Sequence, residues 1–447
     1  MAVAYINDEV VVKEAQRRLQ EYLPITWEGN QYNPMHAWTV LIGGVGMGAS
    51  IAAVCREGQD APSDNIVREK LSEQGWDDRV LETACNDLLA QSARQCTGKG
   101  CFPVAIDLHE EPFYGKLPED DPAVIRRGEA KAGTTSFHTF ATAYVIRQHR
   151  RFTLAVTRVR SHERMLDVAD RLRQGVEELG IDVQVYLFDR QFWTYELQVA
   201  WQAIPYIMPL RRTGKQGTEG GTRPLFALKA SQGVTDTMTP ANQDPLDIEV
   251  AVVVLPETKA ERQKRRAKAE ADYDKARKRV EEKANLLEEE ATARNKRALT
   301  CAKKALAKAQ VRLEEERVAQ PLTTLCYAIN QVAHWSLKRI YATYRVRFGI
   351  ESSYRQSRQA RLFTTSRKAW FRFLIFGLSM ILRNLWLEVR WLLGEPKRGR
   401  GGRKIAKDLL PFPMFLRWLV SAAWKALRFT TWFYPQTELP NPLWGIA

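Results

Sequence analysis

The spacing of apolar residues changes period along this chain, and each change marks a new kind of structure. Over the first hundred positions apolar residues recur at helical spacing, which predicts helices over residues 7–23, 34–55, 63–74 and 77–94. Ser63 and Asp64 stand ahead of the third of these, a capping residue followed by an early acid. From Phe102 the period becomes two. Val104, Ile106 and Leu108 alternate with Ala105, Asp107 and His109, so the two sets belong on opposite faces of a strand. Residues 138–147 and 152–158 read as a β-hairpin about a polar turn. A helix over 165–179 stops at Gly180, and a short apolar strand over 183–188 is bounded by Asp182 and Asp189. A helix over 194–203 and a strand over 206–210 follow. This order predicts an α/β domain built on a mixed sheet.

Residues 211–247 are rich in Gly, Thr, Gln and Pro and read as loop, followed by a strand over 248–255. Residues 257–317 then carry 19 basic and 13 acidic side chains and neither Pro nor Gly. As one helix that stretch would extend ~90 Å; a hairpin turning near 291–296 is more economical, with Ala298, Ala302, Ala305, Ala309 and Leu313 as its packing seam. The charge run is mainly a solvated face whose net +6 could also rest on DNA. The last third returns to helix with many aromatics, broken at 394–404 by GEPKRGRGGRK, either a phosphate-contacting loop or a surface linker. Five regions follow: a helical N-terminal region (1–100), an α/β region (101–210), an insertion with long charged helices (211–330), a helical region (331–394) and a basic helical C-terminal region (395–447).

Composition adds a partner. Lys and Arg number 67 against 52 Asp and Glu, a net charge of +15, and an excess of this size favours a polyanion such as nucleic acid. The first residues show no positively charged segment followed by an apolar core, so no secretory signal is expected. The most apolar stretch, 371–393, has an uncharged run of only ten residues, which suits a buried helix better than a bilayer span. Six cysteines at 55, 85, 96, 101, 301 and 326 are too sparse for a disulfide scaffold and predict free thiols in a reducing cytoplasm. The glycine run 43–48 lacks the preceding strand that a phosphate-cradling loop requires, so it predicts helix and no dinucleotide.

Two carboxylates stand out. Asp107 lies inside an otherwise apolar strand and Asp189 directly follows another, where burial of a charge costs several kcal/mol unless a cation or hydrogen bonds compensate. Two such acids on neighbouring strands suit a divalent ion with oxygen ligands. A third acid, Glu351, lies in the segment 334–363, which reads as one helix. Tyr344, Arg347, Glu351 and Arg358 there share a face, since seven-residue steps drift only ~20°. A carboxylate flanked by arginines and a tyrosine suits a metal-bound phosphate backbone, the acid on the metal, the cations on phosphates and the ring on a base. The bland alternative is an Arg347–Glu351 pair on a solvated helix.

The spacing Tyr-x2-Arg-x3-Glu-x6-Arg resembles the Y-R-E-K signature of bacterial cut-and-paste insertion-sequence transposases, with Arg358 in place of the final Lys. Asp107 in IDLHEEPFYG and Asp189 in FDRQFW resemble that family's two Asp motifs. The resemblance covers roughly residues 102–393 and implies a ribonuclease-H-like core with a DDE triad. It implies that Asp107, Asp189 and Glu351 hold two Mg²⁺ ions, or Mn²⁺ as substitute, ~4 Å apart across one scissile phosphate. Tyr344, Arg347 and Arg358 would contact DNA. His109, on the Asp107 face, is either a phosphate or second-layer partner or a structural histidine, and Arg190 is a further possible DNA contact. The implied reaction is nicking at the terminal inverted repeats, then attack of the new 3′-hydroxyl on target DNA. The implied partner is double-stranded DNA, held by a homodimer, in a prokaryotic cytoplasm at the nucleoid and with no membrane. Alternatives are a structure-selective nuclease on the same fold and a non-catalytic DNA-binding protein derived from a transposase.

Overall fold

In the computed structural model, the first helix, α1 (Asp8–Tyr22), begins where the Asn7 side chain accepts from the Val10 amide, with Asp8 and Glu9 in the first turn. A capping box between Asn33 and His36 starts α2 (Pro34–Met47). The single helix expected over 34–55 is two, because Gly48 adopts φ 64° and ends α2 before α3 (Ile51–Glu57). Then come α4 (Asp64–Glu73), capped by Ser63 as its sequence implied, and α5 (Asp78–Thr97). The glycine run is explained by packing. A Cβ at Gly43 would press on Ala423, and one at Gly46 on the Leu416 carbonyl and Leu419.

The structure describes residues 6–429, apart from 30, 98–99, 119–120, 148–149, 215–220, 240–241, 257–258, 319–321, 397–402 and 407. Most of the basic break at 394–404, and the C-terminal region beyond 429, lie outside the described residues. The chain divides into two units, one formed by Met1–Met208, Asn330–Val332 and Arg339–Ala447, the other by Pro209–Ile329 and Ala333–Lys338.

The first unit is α/β with a mixed sheet. Its strands are β1 (Cys101–Pro112), β2 (Arg126–Lys131), β3 (Thr134–Arg147), β4 (Arg150–Val159), β5 (Asp182–Phe188) and β6 (Tyr206–Pro209). They run in the order β2-β3-β1-β5-β6, with β4 also paired to β3. The hairpin partners β3 and β4 are antiparallel, as are β3 and β1, whereas β1, β5 and β6 are parallel. The short edge strand β2 carries RRGEAK, exposed at four of its six positions and buried at none, and so lacks the apolar alternation that would announce it. Helix α6 (Met165–Glu177) buries Val168, Ala169, Leu172 and Val176, and α7 (Tyr195–Ala200) is capped by Thr194.

In the second unit β7 (Gln232–Met238), β8 (Leu246–Pro256) and β9 (Leu322–Asn330) form an antiparallel set in the order β9-β8-β7. The loop expected over 211–247 therefore contains a strand. Between β8 and β9 the charged segment folds as the hairpin α8 (Lys259–Glu289) and α9 (Ala293–Val318), turning at 290–292. Of the expected seam, Ala302 and Leu313 are buried, Ala298 and Ala309 half-buried, and Ala305 exposed.

The segment 334–363 is not one helix. It divides at Phe348 into α10 (Leu337–Arg347) and α11 (Gly349–Gln359). Next come α12 (Ala369–Leu393) and α13 (Phe412–Leu427). Helix α12 is the central post of the first unit. Its Phe373 and Phe376 pack on Phe140 of β3, and its Asn384 side chain accepts from the Thr153 amide and donates to the Thr153 carbonyl. Buried Glu388 of α12 takes a two-pronged ion pair from buried Arg18 of α1, at 2.7 and 2.8 Å. By length and apolarity α12 could cross a membrane, as could the bent α2–α3 pair taken together, but 89% of α12's apolar window is buried inside the protein.

Candidate active site

The strand register brings the two aspartates together. Ile106 of β1 pairs with Phe188 of the parallel strand β5, so Asp107, within β1, and Asp189, just past the end of β5, stand at the same level. Asp107 faces the side of the sheet covered by α11 and α12, along with His109, Glu111 and, across the ladder on β3, Thr142. Asp189 ends β5, and its Oδ1 accepts from the Arg190 amide at 2.6 Å, which fixes the carboxylate at the strand's exit.

Arg347, the last residue of α10, lies between them. Its Nη2 donates to Asp107 Oδ1 at 2.7 Å and stands 3.5 Å from Asp189 Oδ1. The side chain is 10% exposed and its Nε finds no hydrogen-bond partner among the described residues. Burial pushes the Asp107 carboxyl up to about 6; Arg347 opposes that shift and the charge of Asp189 adds to it. Burial also works against the Arg347 charge, yet Asp107, Tyr344 and Asp189 together hold its pKa above the usual arginine value.

Tyr344 is buried, and its hydroxyl donates to the Phe188 carbonyl at 3.1 Å, directly before Asp189. The ring is therefore a brace for the end of β5 and offers no face for a base to stack on. Arg347 lines the cleft, with its guanidinium turned to the aspartates. In this structure it is the counter-ion of the aspartates. The sequence pattern grouped Tyr344 and Arg347 with Glu351 and Arg358 on a continuous helix; here Tyr344 and Arg347 close α10, whereas Glu351 and Arg358 belong to α11, one residue further on. Glu351 lies on α11, but its side chain is outside the described residues. Arg358 is exposed and lines the cleft; Arg190 is exposed beside Asp189.

His109 is stacked between Tyr354, at 4.7 Å, and Phe376, at 5.3 Å, and burial pushes its pKa down to about 3. A neutral, sandwiched imidazole is the structural reading of the two that the sequence left open. Two contributors were not visible beforehand. Tyr354 of α11 shares a 2.7 Å hydrogen bond with Thr142, tying α11 to the sheet beside Asp107. Lys131 of β2 pairs with Glu110 at 2.6 Å on the rim. Tyr354 lies in the segment 334–363, but only the fold shows that its hydroxyl meets Thr142 of β3.

Together these residues line an open cleft of about 530 Å³ whose floor is Asp107 and Asp189 and whose wall is Arg347, Arg355 and Arg358. No family model and no curated protein matches the chain. Among the described residues no three His, Cys, Asp or Glu side chains converge as a metal-binding group. The donor set nevertheless fits a divalent cation: two hard carboxylates share one cationic partner, held where an ion would neutralise both.

Proposed function

We propose that this chain is a DDE-type insertion-sequence transposase with a ribonuclease-H-like core, cutting DNA at transposon ends and joining the freed ends to target DNA. The observation that carries the reading is the level pairing of Asp107 and Asp189 on parallel neighbours, with the pair bound to one buried cation. The strand order supports it. The central strand β1 pairs antiparallel with β3 of the hairpin that follows it and parallel with β5, which is in turn parallel to β6; Asp107 lies on β1, Asp189 directly follows β5 and Glu351 is on a later helix. The +15 net charge supports a polyanionic substrate.

In this reading Asp107, Asp189 and Glu351 would hold two Mg²⁺ or Mn²⁺ ions. Bound there, the metal would polarise the scissile phosphate and lower the pKa of the attacking water or 3′-hydroxyl. The chain's own residues do the rest. The Tyr344 hydroxyl and the Arg190 amide hold the end of β5 and the Asp189 carboxylate in place. Arg347 carries charge into the cleft, where it can pair with a phosphate oxygen once the aspartates are otherwise neutralised. Arg355 and Arg358 line the wall as point attractors for the flanking backbone. No side-chain nucleophile is called for.

The test is Mg²⁺- or Mn²⁺-dependent nicking of DNA carrying the element's own ends, comparing wild type with Asp107→Asn and Glu351→Gln. Even outer partners of metal ligands cost about 10- to 100-fold when removed, so loss of a ligand should exceed about 100-fold, with DNA binding retained. Cleavage that survives either change would mean the triad is misassigned. Nicking of branched DNA irrespective of the end sequence would favour a structure-selective nuclease. Tight binding with no cleavage by wild type would favour a non-catalytic DNA-binding protein.

A further inference from the structure

A second concavity, of about 650 Å³, opens where β1 runs out, and Arg358 lines both it and the aspartate cleft. Arg361, Arg367 and Arg372 complete a set of four guanidinium groups, and none of the described residues lining it is acidic. The carboxylate behind it is Glu111, buried on β1, which accepts from Arg361 at 3.1 Å. Nearby Arg158 is already committed to Asp78, at 2.6 Å, and to the Ala369 carbonyl. One buried acid thus faces several cations, and the charge of Arg361 works against that of Arg372. Like charges gathered in a concave site are costly unless an anion joins them.

The rim carries two large exposed rings. Tyr114 is 70% exposed, with its hydroxyl tied to the Ala132 carbonyl at 2.8 Å, and Phe363 is 62% exposed, with its amide donating to the Ala49 carbonyl at 3.0 Å. Both are anchored by groups other than the ring faces, which stay open to solvent. Rings presented beside a guanidinium cluster are the components of a site for single-stranded nucleic acid, where bases stack and phosphates are neutralised. Along β1 the distance from Asp107 to Glu111 is about 14 Å at strand rise, beyond the reach of the nucleotide in the aspartate cleft itself.

We propose that this pocket binds unpaired deoxynucleotides of the strand next to the scissile phosphate, their phosphates on Arg361, Arg367 and Arg372 and a base against Phe363. Its position beside a scissile phosphate rests on the transposase reading; its preference for unpaired DNA does not. The site would stabilise a frayed end while the aspartate cleft acts on the adjoining phosphate.

Fluorescence anisotropy in EDTA tests it with a random-sequence duplex, blunt or carrying an unpaired thymidine tail. Wild type should bind the tailed form about tenfold more tightly. The double variant Phe363→Ala, Arg367→Ala alters two exposed side chains and should bind both forms alike, with blunt-duplex affinity within about twofold of wild type. Arg367→Ala alone should lower the salt dependence on the tailed form by about one unit of slope. Equal binding of both DNAs by wild type, or a tail preference that survives the double change, overturns the proposal. Because EDTA removes any dependence on cleavage, a tail preference in a protein that fails to nick its ends would uphold the pocket and sink the catalytic reading.

Discussion

His109 is held between the rings of Tyr354 and Phe376, and that position gives the protein an acid-sensitive bond to its own core. In the unfolded chain the imidazole takes a proton near its ordinary 6.5, whereas burial delays protonation in the folded state to about 3. Between those values the unfolded state binds more protons, so stability falls as the pH falls through that window. Asp107 works in the opposite sense. Its folded pKa of about 6 means the folded state holds the proton longer, so this group costs stability as pH rises from the ordinary carboxylate range to 6. The two oppose each other over part of the range, and replacing one exposes the other. His109→Phe keeps an aromatic ring in the stack and removes the titration. Compared with wild type by urea denaturation, it should gain about 2 kcal/mol more at about pH 5 than at about pH 8. Parallel pH profiles for the two proteins would show that His109 is not the titrating group. His138, buried and pushed down to about 3 as well, leaves the variant some residual acid sensitivity.

At the scale of the element, the telling feature is the break at Phe348. Phe348 keeps helical backbone angles, but α10 ends at Arg347 and α11 starts at Gly349. A Cβ at Gly349 would overlap the Arg151 guanidinium from the start of β4, so an alanine there makes that flexible side chain swing aside. Gly349→Ala should therefore destabilise by about 1 kcal/mol at most. In an Arg151→Ala background the same change should be neutral or stabilising by up to about 1 kcal/mol, since Ala is the better helix former. A double-mutant cycle in urea measures the coupling, and additive effects would sink the account. This break also shows what could be read beforehand. The strands carrying Asp107 and Asp189 were legible because each is a short apolar run that a carboxylate interrupts or ends. The helical hairpin was legible because long charged runs without Pro or Gly have few alternatives. The break itself was hidden, since RVRFGIE keeps helical periodicity and only a contact from β4, 198 positions earlier, gives the glycine its reason. The polar edge strands β2 and β7 were hidden because exposed strands carry no apolar alternation. The pairing of Arg347 with the aspartates was invisible for the same kind of reason: nearest-neighbour spacing on a helix offers Glu351, while the fold offers Asp107.

For the molecule as a whole, the α8–α9 hairpin is a separable addition, and the pairing of the strands around it says how to remove it. Pro256, at the end of β8, stands directly opposite Leu322, at the start of β9, in an antiparallel ladder. Two strands ending on a facing pair can be joined by a two-residue turn, and Asn-Gly matches their twist. Within the hairpin the described buried side chains are Ala269, Ala302 and Leu313, so it shields little beyond its own seam. Replacing 257–321 with Asn-Gly should therefore keep both units folded, with a melting temperature within about 3 °C of wild type, while far-UV circular dichroism loses helical signal. The excised segment is basic on balance, so affinity for duplex DNA should weaken uniformly across sequences, with a shallower salt dependence. Metal-dependent nicking at saturating DNA should persist, because Asp107, Asp189 and Arg347 all belong to the other unit. A variant that folds and binds DNA as before would restrict the hairpin to a spacer. One that loses nicking at saturating DNA, with its melting temperature unchanged, would instead make the hairpin part of the machinery that delivers the scissile phosphate to the aspartates.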